Sequence, residues 1–259
     1  MKVWSILNQK GGVMKSTLVL LLSQALANRG FKVLAVDLDA QRNLSLYAGL
    51  YDQKDNIFTV LKGDTKDVHD AISSAGTFDI LIGSTEMKNW NSTAKELKSS
   101  ENRLQRALRA VNDEYDYVII DNPPALDEAT INSMVAATGI IIPTEAKIGS
   151  VAGILEMQED IEEVKDLFDK PDLQILGIIP TKVERGSFGV PKKTTAREHI
   201  SALDEVAEEL GTKVFNMYIS NNKEYEELAE THVNYWETTK ASTPKKEIDK
   251  FVDMLLKEK

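Results

Sequence analysis

The stretch NQKGGVMKST, residues 8–17, separates the apolar run VWSIL (3–7) from a helical pattern that begins at Ser16. An apolar run, a glycine-containing loop and a helix in this order are typical of a phosphate-binding loop. Backbone N–H groups in such a loop point at phosphate oxygens, and the positive end of the helix dipole adds to the attraction. The stretch therefore predicts a nucleotide site.

The loop departs from the usual pattern G-x-x-x-x-G-K-[ST], because Gln9 and Met14 occupy the two positions where that pattern has glycine. Gly11 and Gly12 still allow the backbone to come close to a ligand. The alternative interpretation is a glycine turn before a helix that carries a lysine and a hydroxyl by coincidence. Residues elsewhere in the chain favour the nucleotide site.

Two side chains of the loop receive a chemical role from the pattern. Lys15 is expected to bind the β- and γ-phosphates of a nucleotide, and Ser16 is expected to be a ligand of Mg²⁺. The predicted nucleotide contacts of the loop are Gly11, Gly12, Val13, Met14, Lys15, Ser16 and Thr17.

The composition is that of an ordinary globular protein, with 42% hydrophobic and 28% charged residues. The chain contains no cysteine, which excludes disulfides, iron–sulfur clusters and thiol catalysis. Its three histidines lack metal-ligand spacing, so no zinc site is expected. Neither a signal-peptide pattern nor an apolar run of roughly 20 residues occurs, and we expect a cytoplasmic protein.

Short apolar runs rich in valine and isoleucine alternate with helical patterns along the whole chain. This alternation predicts one α/β domain over residues 1–259, a single doubly wound, mostly parallel sheet with helices on both faces. The predicted strands are 3–7, 32–37, 78–82, 115–121, 139–143, 173–180 and 213–219. The predicted helices cover residues 16–30, 102–114, 150–170 and 196–211, with a C-terminal helix at about 244–257 packed on the domain.

Three aspartates lie at or just beyond the carboxyl ends of predicted strands. Asp37 and Asp39 are two residues apart and face the same side if the chain stays extended, and Asp121 closes the run YVIID. A lone aspartate at a strand end commonly caps a helix or forms a turn. All three beside a phosphate loop fit the edge where open α/β sheets bind ligands, and Asp121 is expected to hold Mg²⁺ through water.

Three motifs together resemble the ParA/MinD group of P-loop ATPases, and within it the ParA (Soj-like) side. NQKGGVMKST matches the deviant Walker A pattern KGGxGK[ST]T except at Met14. VDLDAQRN (36–43) matches VDxDPQxN except at Ala40, and VIIDNPP (118–124) matches the Walker B pattern DxPP. Weaker similarities at residues 57–64, 139–156, 177–184 and 213–222 extend the resemblance over nearly the whole chain.

The resemblance implies a homodimer that forms in ATP, sandwiches two nucleotides and hydrolyses ATP slowly. By match to the motif, Lys10 is the lysine that reaches the phosphates of the partner subunit, and Lys15 is the phosphate lysine of its own subunit. Asp39 is the residue that orients the attacking water, Asp121 is the Walker B carboxylate, and Asp37 is counted among the nucleotide contacts. Phosphoryl transfer to water depends on positioning and charge neutralisation, which these roles supply.

Met14 is the main departure from the family pattern. Glycine at this position gives the loop its closest approach and adopts backbone angles that other residues resist. Methionine is slim and flexible, so nucleotide binding can survive with lower affinity or slower turnover. The alternative to a partition ATPase is therefore a non-hydrolysing, nucleotide-dependent binding module.

The C-terminal stretch PKKEIDKFVDMLLKEK (244–259) predicts a helix with Ile248, Phe251, Val252 and Leu255 on one face. MinD-like members of the group bind membrane through a basic, aromatic, amphipathic tail. Basic and acidic residues nearly balance here, which favours a helix packed on its own domain, and no membrane partner is expected.

Nonspecific DNA is a partner that the resemblance implies, and two local basic stretches support it in a chain of net charge −10. Either stretch can instead be an ordinary solvated face, and SNNKEYEE (220–227) has only Lys223 where ParA relatives tend to carry an arginine. The first stretch, with one acidic residue, carries Lys182, Arg185, Lys192, Lys193 and Arg197; the second, with two, carries Lys88, Lys95, Lys98, Arg103, Arg106 and Arg109.

The acidic stretch MQEDIEEVKDLFD (157–169) is expected to be a solvated helix face or to receive a basic peptide. The resemblance implies that such a peptide belongs to a ParB-like centromere-binding partner that stimulates hydrolysis. It also implies a cytoplasmic, nucleoid-associated protein that segregates plasmid or chromosomal DNA, or positions other cargo as a MinD-like regulator does.

Overall fold

The computed structural model describes residues 1–51, 53–147, 149–186, 190–232, 234–237 and 242–258. Outside these ranges lie residue 148 of the similarity at 139–156, residues 187–189 of the first basic stretch, and residue 259 of the tail. The strands of the described chain are β1 (Lys2–Ile6), β2 (Val33–Asp37), β3 (Ile72–Ser74), β4 (Asp79–Leu81), β5 (Tyr117–Asp121), β6 (Gly139–Glu145) and β7 (Gln174–Thr181).

These seven strands form one sheet in the order β3-β4-β2-β5-β1-β6-β7. Strand β3 pairs antiparallel with β4, and the other pairs within the sheet are parallel. The predicted doubly wound, mostly parallel sheet is therefore confirmed. The short strand β3 was not predicted, because its sequence ISS offers only one apolar residue.

Helices cover both faces of the sheet, as predicted. Alternate residues of β5 show this, because Ile119 packs in one apolar cluster while Val118 and Ile120 pack in another on the opposite face. The helices of the described chain are α1 (Lys15–Asn28), α2 (Asn43–Tyr47), α3 (Ile57–Lys62), α4 (Trp90–Lys95), α5 (Arg103–Ala110), α6 (Glu128–Ala136), α7 (Ser150–Leu167), α8 (Thr194–Glu209), α9 (Glu224–Glu230) and α10 (Thr243–Leu255).

Helix α1 is buried because it lies between the sheet and α10. Its residues from Leu18 to Leu26 are buried all around the helix, as expected for a helix without a solvent face. Arg29, which follows α1, forms ion pairs with Asp249 (2.9 Å) and Asp253 (3.0 Å) of α10. The C-terminal helix thus lies against the helix that carries the phosphate loop.

The prediction of a regular strand at 213–219 is wrong. The segment runs beside β7, but it pairs only through isolated parallel bridges, Ile178 with Val214 and Val183 with Ser220. Between them the Met217 N–H donates to the Phe215 carbonyl at 2.6 Å, so the backbone turns away from the sheet. The 213–219 segment therefore borders the sheet without extending it regularly.

The carboxyl ends of the central strands meet at one edge of the sheet. Asp37 of β2 and Asp121 of β5 are direct neighbours in the parallel register, and Ile6 of β1 is the next neighbour of Asp121. The phosphate loop continues from β1 at this same edge. In the described chain, no helix has the length and apolar character needed to cross a membrane.

Candidate nucleotide site

The phosphate loop is anchored to β6 and β7, the two strands that lie beyond β1 in the sheet. The Asn8 amide donates to the Pro143 carbonyl of β6 (2.7 Å), and its oxygen accepts from the Lys10 N–H (2.8 Å). The Thr181 hydroxyl at the end of β7 donates to the Val13 carbonyl (3.3 Å). These bonds fix the loop before any ligand binds.

Two loop residues have left-handed backbone conformations. Gly12 has φ 77°, which glycine adopts readily. Met14 has φ 73° and ψ 25° and directly precedes the first residue of α1, Lys15, without capping the helix through its side chain. Methionine thus holds the conformation that glycine would adopt in the family pattern, at a conformational cost of roughly 1–2 kcal/mol.

Lys15 is a buried cation. Its ammonium donates to the Asn8 carbonyl (3.0 Å), and only 8% of the residue is exposed. Burial lowers its pKa, and the Asp121 and Asp39 carboxylates partly oppose that shift. A cation held inside a loop in this way is suited to neutralising phosphate oxygens.

Asp37 is a fully buried carboxylate with several donors. It accepts from the Ser45 N–H (2.9 Å), the Ser45 hydroxyl (2.7 Å) and the Asp39 N–H (3.2 Å). Burial raises its pKa to about 6, although the bonds from Ser45 oppose the shift. Asp37 therefore ties the end of β2 to α2 and to the backbone of Asp39.

Asp121 is fully buried, and neither of its carboxylate oxygens has a hydrogen-bond partner in the described chain. Burial raises its pKa well above the ordinary value, and the nearby Asp37 raises it further. The Ser16 hydroxyl and Lys15 oppose the shift, although Ser16 stops short of a full hydrogen bond. Two orphaned oxygens beside a hydroxyl fit a magnesium ion with its water shell, since Mg²⁺ prefers oxygen ligands.

A cavity of about 350 Å³ opens above these residues. Asp39 and most of the predicted loop contacts line it, while Val13 lies buried beneath and Lys10 is exposed outside the lining. The structure thus brings together Gly11, Gly12, Met14, Lys15, Ser16, Thr17 and Asp39 around the cavity.

The far wall of the cavity was not predicted from the sequence. It includes Asn43, Tyr47, Ser220, Asn221, Asn222 and Tyr225. The polar triplet Ser-Asn-Asn directly after the last apolar run could have indicated this wall, because such positions lie at the ligand-binding edge of parallel sheets.

Glu247 of α10 holds part of this wall in place. One of its carboxylate oxygens accepts from the Ser220 N–H (2.9 Å), the Ser220 hydroxyl (3.0 Å) and the Tyr225 hydroxyl (2.8 Å). The other oxygen lies 3.9 Å from the Arg185 guanidinium. The C-terminal helix therefore supports the wall of the nucleotide cavity through one partly buried carboxylate.

The first basic stretch divides between two places. Lys182 lines the nucleotide cavity, whereas Arg185 and Arg197 line a second cavity of about 740 Å³ between α8, the 213–219 segment and α10. We call this second cavity the basic groove, because α10 adds Lys246 and Lys250 to its lining.

The other predicted DNA residues lie near the groove but outside its lining. Lys193 is paired with Glu184 (2.7 Å), and Lys192 is exposed. In the second basic stretch, the Arg103 guanidinium donates to the Leu61 carbonyl at 2.9 Å, so this cation is partly committed within the protein.

Comparisons with known proteins identify relatives over most of the chain. The family AAA_31, described as an AAA domain, matches residues 1–175. The chain is 31% identical over 226 residues to the sporulation initiation inhibitor protein Soj of Bacillus subtilis, which covers 85% of each protein. It is 30% identical over 227 residues to the chromosome partitioning protein ParA of Caulobacter vibrioides, which covers 86% of this chain and 81% of that protein.

A solved structure shares both the fold and a recognisable sequence similarity. It is the cobyrinic acid a,c-diamide synthase of Mycobacterium smegmatis with a bound ATP analogue and magnesium. The TM-score is 0.83 at 28% identity, and the match covers 99% of this chain and 94% of that chain.

Proposed function

Because the chain belongs to the ParA/Soj family of P-loop ATPases, we propose that it is a ParA-type partition ATPase. Residues 1–259 act as one ATPase domain that binds ATP and Mg²⁺, dimerises, binds DNA without sequence preference and releases it after hydrolysis. A cytoplasmic, nucleoid-associated location follows from this activity.

The observation that carries the proposal is the pairing of the orphaned Asp121 carboxylate with the phosphate loop. Lys15 would bind phosphate oxygens, and Ser16 and Asp121, which lie close together, would hold Mg²⁺. Bound Mg²⁺ supplies charge neutralisation for phosphoryl transfer to water. Asp39 lines the cavity above Asp121 and orients the attacking water.

Dimerisation is proposed from the position of Lys10. This lysine is exposed at the loop and lies outside the lining of its own cavity. It is therefore free to reach the phosphates bound by a second subunit across a nucleotide sandwich. A cation supplied in trans makes hydrolysis depend on dimer formation, in the way an arginine finger does.

DNA binding is proposed for the basic groove and the cations beside it. Arg185, Arg197, Lys246 and Lys250 come from three separate segments and converge on one surface. Phosphate contacts of this kind supply affinity without reading base sequence, and each contributes a slope of roughly −0.9 in log affinity against log salt. In a dimer, two such surfaces act together.

The test replaces Lys192, Lys193 and Arg197 together by glutamate. We expect loss of DNA binding in ATP, measured by fluorescence anisotropy with unrelated duplexes, and unchanged ATP-dependent dimerisation. The matched control makes the same charge change at the exposed Lys88, Lys95 and Lys98 of the second basic stretch. Unchanged DNA binding in the first variant contradicts this surface, and absent DNA binding by the wild type in ATP contradicts the proposed function.

A ParB-like partner is proposed to dock on the acidic face of α7. Asp160 of this helix accepts from the Gln9 amide at 3.0 Å, and Gln9 precedes the phosphate loop lysine, Lys10. A basic peptide bound to α7 would compete for Asp160 and so reach the loop. The test is phosphate release with and without a basic peptide, using Asp160→Asn as the variant that should lose stimulation.

A further inference from the structure

Lys182 was grouped with the DNA-binding residues by sequence, but its side chain lies elsewhere. It directly follows the last residue of β7 at the ligand-binding edge and has a left-handed backbone conformation (φ 54°). Its ammonium lies 4.0 Å from the point where a Cβ on Gly12 would be. The preceding residue, Thr181, donates to the Val13 carbonyl of the loop, so this strand end is held beside the phosphate loop.

The left-handed turn at Lys182 separates it from Arg185, which lies only three residues further along. Val183 between them is buried and bridges Ser220, so the chain at this point runs beside the end of the 213–219 segment. Arg185 then faces Glu247 and the basic groove. A non-glycine residue in this backbone region costs roughly 1–2 kcal/mol, and such costs tend to be kept where a side chain has a task.

The ammonium of Lys182 is only loosely paired. It lies 3.9 Å from one oxygen of Glu145, at the limit of an ion pair, while the other oxygen of Glu145 is in close contact with Lys147. About a third of the Lys182 side chain (36%) remains exposed. Because Lys147 already neutralises Glu145, Lys182 can exchange this weak contact for a stronger anion.

We propose that Lys182 is a further nucleotide-binding residue, which donates from its own subunit to the phosphates of the nucleotide in the loop cavity. A charge-assisted hydrogen bond to phosphate is stronger than the long contact to a carboxylate that is already paired. Lys182 then acts together with Lys15, which lines the same cavity. The proposal rests on the proposed function for the presence of a nucleotide, and not on DNA binding.

The test is equilibrium binding of AMP-PNP with Mg²⁺ by isothermal titration calorimetry. Lys182→Met is expected to weaken binding by about 10-fold, the effect of one lost hydrogen bond to a charged group. Lys182→Arg should stay within about threefold of wild type, because it keeps a charged donor. The control is Lys32→Met, an exposed cation away from the cavity, which should leave nucleotide affinity unchanged.

Two further measurements separate a nucleotide contact from a structural or DNA role. The thermal midpoint of nucleotide-free Lys182→Met should equal that of wild type, and its DNA affinity at saturating AMP-PNP should change less than twofold. Equal nucleotide affinity of Lys182→Met and wild type overturns the inference, as does an equal loss in Lys32→Met. If the wild type binds nucleotide but no DNA, the proposed function fails while the comparison of Lys182 variants still decides this inference.

Discussion

The nucleotide cavity and the basic groove hold their charges in opposite ways. At the nucleotide cavity, Lys15 of the lining is nearly buried, and Asp37 and Asp121 are fully buried outside the lining; all three are fixed by strand ends or by the start of α1. In the groove, Arg185 and Arg197 are exposed and come from separate parts of the chain. Buried charges cost folding free energy until a ligand compensates them, whereas exposed cations cost little and attract a polyanion at long range.

This difference predicts that changes in the two regions have different consequences. A substitution in the cavity should change chemistry and stability together, because the same buried groups serve both. A substitution on the rim of the groove should change DNA affinity alone.

Lys10→Ala should reduce ATP hydrolysis on the order of 10³-fold, the effect of losing a cation supplied in trans. Nucleotide affinity of the monomer should persist, because Lys10 does not line its own cavity. Phosphate release measures hydrolysis, and calorimetric titration with AMP-PNP measures nucleotide affinity. Lys32→Ala, an exposed lysine away from the site, serves as the control, and full activity of Lys10→Ala refutes the cross-subunit role.

Asp39→Ala should also abolish hydrolysis, but by removing a group other than the cation supplied in trans. Phosphate contacts remain in this variant while the water-orienting carboxylate is lost, so an ATP-bound dimer should accumulate. A monomeric Asp39→Ala protein in ATP contradicts the assignment of Asp39.

Glu247 joins the two regions, since it binds the wall of the cavity and faces Arg185 of the groove. Glu247→Ala should lower the free energy of unfolding by on the order of 3 kcal/mol, because the buried Ser220 and Tyr225 lose their acceptor. Glu247→Gln should cost less, since it keeps one acceptor oxygen. Urea unfolding measures both.

The control for Glu247 lies on the same helix. Asp253→Ala removes a carboxylate whose side chain is 63% exposed, so its ion pair with Arg29 should contribute less than about 1 kcal/mol. Equal destabilisation by the Asp253 and Glu247 alanine variants would mean that Glu247 supports the cavity wall no more than a surface ion pair does.

The same contrast explains what the sequence could predict. Apolar runs set the ends of parallel strands, and those ends meet at one edge, so Asp37 and Asp121 could be placed together from the pattern alone. The groove combines α8, the 213–219 segment and α10, and no periodicity in the sequence brings these together. The sequence also gives the charge of a side chain without the direction in which that side chain points. For this reason Lys182 and Arg185 were assigned to one surface.

The fold failed to match prediction where packing overrides local pattern. The segment 213–219 has the composition of a strand, but the Phe215 side chain packs beneath Gly177, where a Cβ would lie 2.6 Å from its ring. The backbone turns to allow this contact and leaves the regular ladder. Helix α6 was also not predicted, although the sequence offers a capping residue before it. The Asp127 side chain accepts from the Ala129 and Thr130 N–H groups at the start of this helix.

Asp121→Asn should stabilise the nucleotide-free protein, which tests whether the cavity stores unfavourable charge. The folded-state pKa of Asp121 and that of Asp37 (about 6) lie above the ordinary value of 3.8. Between the ordinary pKa and the raised pKa of each carboxyl, the folded state binds more protons than the unfolded state. The contribution of these two carboxyls to the free energy of unfolding therefore falls as pH rises. The gain from Asp121→Asn should therefore be small at pH 4 and grow to on the order of 2 kcal/mol at pH 7.

Urea unfolding of wild type and variant across pH 4–7.5, without nucleotide or Mg²⁺, measures this difference. His69, whose pKa is raised by its bonds to Asp67 and Glu114, contributes a slope of the same sign but cancels in the comparison. Asp113→Asn, an exposed carboxylate, is the charge control. A stability difference that does not depend on pH rules out the buried carboxylate as its source.

Met14→Gly should have the smallest effect, because the loop already holds the conformation of glycine at this position (φ 73°). Removing the side chain relieves roughly 1 kcal/mol of backbone strain. Against this gain, glycine loses more conformational entropy on folding, and the partly buried methionine loses its packing against the core. The free energy of unfolding should therefore change by less than about 1 kcal/mol.

Nucleotide binding separates the two interpretations of Met14. Its side chain lines the cavity, so if it obstructs the loop, Met14→Gly should tighten ATP binding or raise turnover, by less than about 10-fold. Met14→Leu, which keeps a side chain of similar volume, is the control and should behave as wild type. Calorimetry and phosphate release give the two quantities. Unchanged affinity and turnover in Met14→Gly would mean that the loop accommodates methionine, and a non-hydrolysing module would then have no support from this residue.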